Sequence, residues 1–121
     1  MNNTSKKLII ILYAEEKDPL NYALGMIATA AALERPTELF FTGKSVLSLI
    51  NNNQFSNFDH KNSQELLLIT IDLNTKISVC SGALSENNIK ENELRNDINI
   101  DVTSLTSILS LENQNSQIIF I

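Results

Sequence analysis

The chain has 121 residues, nine Lys and Arg against fourteen Asp and Glu, a net charge of −5, one Cys, one His and no Trp. One Cys excludes an internal disulfide and a cysteine-cluster zinc site. One His excludes metal sites built on several histidines. The acidic balance does not suit a nucleic-acid surface, because phosphates require a basic face. At this length a single domain over residues 1–121 is expected, burying roughly two thirds of its unfolded surface.

Residues 1–5 are polar and predicted to fray. Lys6-Lys7 followed by the apolar run 8–14 imitates the start of a secretory signal. The run is short, however, and Glu15-Glu16 stand where small residues are needed for cleavage. A buried strand over 8–13 is the better reading. No segment approaches the ~18 consecutive apolar residues of a membrane span. A lone thiol without an export signal fits a reducing cytoplasm.

Asp18-Pro19 predicts an N-cap and a first-turn proline. Leu20, Ala23, Leu24, Ile27 and Ala31 then recur at helical spacing to about Glu34. From Ile27 to Leu33 this helix is apolar nearly all round, so cover is expected on more than one side, from the sheet and a neighbouring helix or from another subunit. Pro36 enforces the stop. A second strand is predicted over 37–42, a turn at Gly43 and a short helix over 45–51. Residues 51–63 are polar apart from Phe55 and Phe58 and read as a mobile loop or lid.

The stretch 64–74 is open between a buried strand leading into a hairpin and a buried helix, and periodicity does not arbitrate. A strand at 77–80 ends in Cys80. Ser81-Gly82-Ala83 opens a short helical stretch, and 90–95 forms another turn. A strand is predicted at 98–100. A helix over 102–112 follows, capped by Asp101, with Val102, Leu105, Ile108, Leu109 and Leu111 inward. Residues 117–121 form a last strand. Alternating strands and helices imply a mostly parallel five-stranded sheet covered on both faces, an α/β three-layer sandwich.

The segment 6–50, from KKLIIILYAEE to TGKSVLSLI, resembles the opening of the DsrE/DsrF/TusD-like sulfur-relay family. ISVCSGALSENNIKENEL resembles that family's strand ending in Cys, and INIDVTSLTSILSLENQNSQIIFI resembles its last strand–helix–strand. The likeness runs over residues 7–121. It implies a flavodoxin-like sandwich, a helix at 64–74 and assembly into trimers or hexamers. It also implies that Cys80 matches the cysteine accepting a persulfide sulfur, with donor and acceptor proteins as partners. The chain departs from the family pattern at Ile77-Ser78-Val79, at Arg35-Pro36 and in the polar 51–63 region.

The residues around Cys80 are compatible with that chemistry, which the resemblance brings forward. Parallel sheets bind ligands at the carboxyl ends of their strands. A thiol there, before a helical turn, lies near free backbone N–H groups that favour thiolate. A thiolate attacks a persulfide by the displacement that governs disulfide exchange. Ser81 and Gly82 would form the mouth of the site, with Gly82 allowing close approach. Tyr13 would line the same crevice, or pack in the core. The competing reading makes Cys80 a small buried hydrophobe at a strand end. His60 is either a partner for the thiolate or a solvated loop residue. Glu15, Glu16 and Asp18 read as a solvated loop, since a receiver-type magnesium site also needs an acidic residue and a lysine that the other strands do not supply. No metal or cofactor is expected, and none of the glycines belongs to a phosphate-binding motif.

Overall fold

A computed structural model describes residues 6–50 and 61–121. Five strands form one sheet in the order β4-β3-β2-β1-β5, all parallel. They are β1 (Leu8–Leu12), β2 (Thr37–Phe41), β3 (Lys76–Cys80), β4 (Asp101–Thr103) and β5 (Gln117–Phe120). β1 and β2 are buried along their whole length; β1 is a continuous apolar run, whereas β2 also buries Thr37 and Glu38 ahead of Leu39–Phe41.

Helix α1 (Lys17–Ala32) follows β1, and α2 (Lys61–Asp72) lies in the crossover between β2 and β3. Parallel neighbours require such a crossover, which excludes the hairpin alternative at 64–74. α2 begins at Lys61, so the end of the expected 51–63 loop is helical; residues 51–60, like 1–5, lie outside the described residues. A 3₁₀ segment, Gly43–Leu49, occupies most of the expected short helix at 45–51. Helix α3 (Ser81–Glu86) follows β3 directly.

These helices share one face of the sheet. Leu20, Ala23, Leu24 and Ile27 of α1, Leu67 of α2, and Ala83 and Leu84 of α3 pack with Leu8, Ile10, Leu12, Leu39, Phe41, Ile77 and Val79 in the main core. Full burial of one Leu or Ile stabilises by roughly 1.5–3 kcal/mol. The opposite face is thinner. Ile108, from the one-turn helix α4 (Leu105–Ile108), packs on Ile9, Ile11 and Phe40. The same face buries one charged group: Glu38 accepts a hydrogen bond from Ser78 Oγ at 2.7 Å and pairs with Lys7 Nζ at 2.8 Å.

All three α1–α3 helices end alike. Glu34, Asn74 and Asn88 have φ of 69°, 70° and 56°. The following N–H of Arg35, Thr75 or Ile89 returns to the carbonyl of Ala30, Thr70 or Leu84. This is the Schellman geometry, in which a left-handed residue satisfies otherwise unpaired carbonyls. Thus α1 stops two residues before Glu34 through this turn, ahead of Pro36.

Four expectations need correction. α1 starts at Lys17 with Glu16 at the cap position, and no side chain caps it; Asp18 lies in the first turn. The fourth strand is Asp101–Thr103, three residues beyond the expected 98–100, because pairing to Ser78–Cys80 selects that register. Val102 is therefore in a strand, and Asp101 caps no helix. Ser104 caps α4 instead, accepting the Ser107 N–H at 3.1 Å. The expected helix 102–112 is one turn plus a 3₁₀ segment, Leu111–Asn113, and of its apolar positions Ile108 is buried while Leu105, Leu109 and Leu111 are exposed. Ser110 Oγ bonds the Ser107 carbonyl, and Asn113 Nδ2 bonds that of Ile108. Such short polar side chains compete with helix continuation.

Candidate functional site

Because every strand runs the same way, all five carboxyl ends share one rim. Cys80 is the last residue of β3 and lies opposite Thr103 of β4. Strand alternation puts its side chain on the α4 side with Ser78. The thiol is half-buried and touches both core clusters. α3 begins at the next residue, so Cys80 occupies the cap position, but its side chain accepts no N–H from the helix. Among the described residues the thiol has no hydrogen-bond or charged partner. A Cβ added to Gly82 would lie 3.8 Å from Cys80 Sγ, at ordinary contact distance. Ser81 and Gly82 are exposed beside the sulfur.

Tyr13 reaches the same rim from β1. Its ring stacks on Phe120 with centroids 5.9 Å apart, and it is 57% exposed. It also lies against Gly43, where an added Cβ would come within 2.6 Å of the ring. Gly43 has φ of 60°, so both conformation and space favour glycine there. β2 separates Tyr13 from Cys80, and two strand spacings amount to about 10 Å. The tyrosine therefore belongs to the rim without being in the thiol's immediate shell. Tyr22 is largely exposed on α1, away from this rim. His60 lies outside the described residues. Glu15, Glu16 and Asp18 are exposed.

Two residues that shape the rim carried no readable signal in the sequence. Buried Ser45 donates to the Leu12 and Thr42 carbonyls at 2.7 and 2.8 Å, joining the ends of β1 and β2. Asn87 Nδ2 donates to the Ala83 carbonyl at 2.8 Å and the Gly43 carbonyl at 3.3 Å, holding α3 to the turn after β2. Both act across elements distant in sequence, and Ser and Asn are common in turns anyway.

The DsrE/DsrF-like family pattern matches residues 5–120. The chain belongs to the DsrE/DsrF-like family. Solved structures agree on the fold. The ychN protein from E. coli superposes with a TM-score of 0.75 at 14% identity, covering 98% of this chain and all of that one. BT1422 from Bacteroides thetaiotaomicron, a conserved protein of unknown function, gives 0.66 at 18% identity over 99% of this chain and all of its own. MTH1491 from Methanobacterium thermoautotrophicum, also of unknown function, gives 0.59 at 12% over 97% of this chain and all of its own. No curated protein matches the sequence significantly. As a DsrE/DsrF-like chain, this one carries its single Cys at the strand end that the sequence resemblance marked. No helix among the described residues is long and apolar enough to cross a membrane.

Proposed function

We propose that the protein is an intracellular persulfide carrier in a sulfur relay, with Cys80 as the acceptor thiol. The observation that carries this reading is the half-buried thiol at the carboxyl end of β3 in a DsrE/DsrF-like chain. The Cys80 thiolate attacks the outer sulfur of a donor persulfide. A new S–S bond forms at Cys80, the donor's S–S bond breaks, and the electron pair leaves on the donor thiolate. Repeating the exchange with an acceptor thiol passes the sulfur on, with no net oxidation. The donor and acceptor are proteins, and the compartment is the reducing cytoplasm, where a lone thiol persists. Ser81 and Gly82 leave the sulfur approachable.

The test is incubation with a sulfane-sulfur donor followed by intact mass. Wild type gains one sulfur atom and Cys80→Ser gains none. No gain on wild type, or equal gain on the variant, overturns the proposal.

A second reading makes the chain a non-catalytic subunit, homo-oligomeric as a trimer or hexamer or binding a small ligand, whose Cys80 is structural. It is favoured by Leu105, Leu109, Leu111 and Phe120, which are 45–81% exposed. Such exposed apolar area in a small domain suits an interface between copies. Light scattering after size exclusion, with maleimide labelling of the native thiol, separates the readings: a monomer with a reactive thiol contradicts this one.

A further inference from the structure

The sheet's amino-terminal end carries a second feature, away from the Cys80 rim. β5 pairs on one side with β1, and the space between α1 and β5 is an open groove of about 580 Å³. Leu8, Met26, Ala30, Leu33 and Ile119 supply its apolar walls, and Arg35 lies at its end. That volume falls within the range of small-molecule sites.

Two observations distinguish this groove from an accidental crease. The first is Gly25, in the middle of α1. It has no positive φ, and a Cβ added there meets nothing within 4 Å. A glycine inside a helix costs roughly 1 kcal/mol against alanine. Neither backbone conformation nor packing requires it, and its effect is to keep the groove's wall open. The second is Arg35. Its Nε donates to the Lys6 carbonyl at 3.0 Å and its Nη2 to Gln117 Oε1 at 2.8 Å. Its backbone N–H is tied to Ala30 by the turn that ends α1. The guanidinium is thus held in one orientation, and of its five N–H groups the described residues take two. Arg35 is the one charged residue among the described residues lining the groove, in a chain whose net charge is −5.

We propose that this groove binds a small amphipathic monoanion, a carboxylate or sulfonate with an aromatic or alkyl body. The anion meets the fixed Arg35 guanidinium, and the body lies along Met26, Ala30 and Ile119 beside Gly25. The site is independent of the thiol chemistry at Cys80.

Anilinonaphthalene sulfonate fluorescence, with decanoate as competitor, tests the proposal on the full chain. Wild type should bind the dye saturably and release it to decanoate. Gly25→Leu fills the groove and should abolish both effects while leaving the thermal midpoint equal or higher, since leucine is the better helix former. Arg35→Gln should weaken binding roughly tenfold, the usual scale for losing a charged hydrogen bond, and Arg35→Lys should recover part of it. Cys80→Ser should bind as wild type does. Absence of dye binding, or binding unaffected by Gly25→Leu and Arg35→Gln, overturns the proposal. So does a wild-type oligomer that Gly25→Leu dissociates, because the groove's occupant is then a second copy of the chain.

Discussion

One face of the sheet lies beneath α1, α2 and α3, while the other lies beneath the single turn of α4. The first buries a large continuous core from β1, β2, β3, the three helices and the 3₁₀ segment Gly43–Leu49. The second buries Ile9, Ile11, Phe40 and Ile108, together with the Lys7–Glu38–Ser78 network. The thick face obtains its stability from apolar area. The thin face combines a small apolar plug with a buried polar contact, and it is the face toward which Cys80 points. The half-buried Cys80 thus lies where the covering layer is slight.

The largest effect that would break this contrast lies in the cores. Phe41, fully buried under the helices, should lose about 3–5 kcal/mol as Phe41→Ala in denaturant unfolding. Ile108→Ala should lose less, about 2 kcal/mol, because a one-turn helix can settle into the space. Equal losses would show that the two layers stabilise alike.

Next is the buried carboxylate. Glu38→Gln keeps shape but removes the charge facing Lys7, whose side chain is 31% exposed and so partly hydrated. A loss of about 1–3 kcal/mol is expected from chemical denaturation. No change would mean that the thin face does not depend on its polar contact.

A smaller, opposite effect is expected at the end of α1. Glu34 holds a left-handed conformation that costs a non-glycine residue about 1 kcal/mol. Glu34→Gly should therefore raise stability by up to about 1 kcal/mol, read as a higher thermal midpoint. It strengthens the thick layer without touching the thin one.

The smallest effect is a pH dependence. Hydrogen bonds from the Arg95 guanidinium hold the Asp97 carboxyl below its ordinary value of 3.8, and the positive charge acts the same way. Arg95 also bonds Gln64 of α2, so this pair secures the helical layer. A depressed carboxylate pKa stabilises above the unfolded value, and the contribution is lost as pH falls through the folded one. Asp97 is 56% exposed, so the contribution is below about 1 kcal/mol. Asp97→Asn should narrow the difference in unfolding midpoint between pH 7 and pH 3. An unchanged difference contradicts the pairing.

Much of the sheet was legible in the chain itself. Leu8–Leu12 and Leu39–Phe41 have few alternatives to buried strands, and the pattern of Ile77 to Cys80 ends at the thiol, as β3 does. The regions where the fold departs from the local pattern share one cause. Ile98 and Ile100 alternate with polar residues as strand residues do, yet they only pack at the core's edge. Leu105, Leu109 and Leu111 have helical spacing, yet the helix stops after one turn and they face solvent. In both cases the local pattern was compatible with an element that pairing and capping elsewhere overruled.

Sequence alone determined the α/β class, the buried strands β1 to β3 and the place of the single Cys at the end of β3. Those features depend on composition and local spacing, which the chain carries directly. Tertiary structure decided which three residues pair with β3, which face stays thinly covered, and that Arg35 and Gln117, 82 positions apart, meet across a groove. These are relations between distant segments, set by how the strands order themselves in the sheet, and no local pattern encodes them.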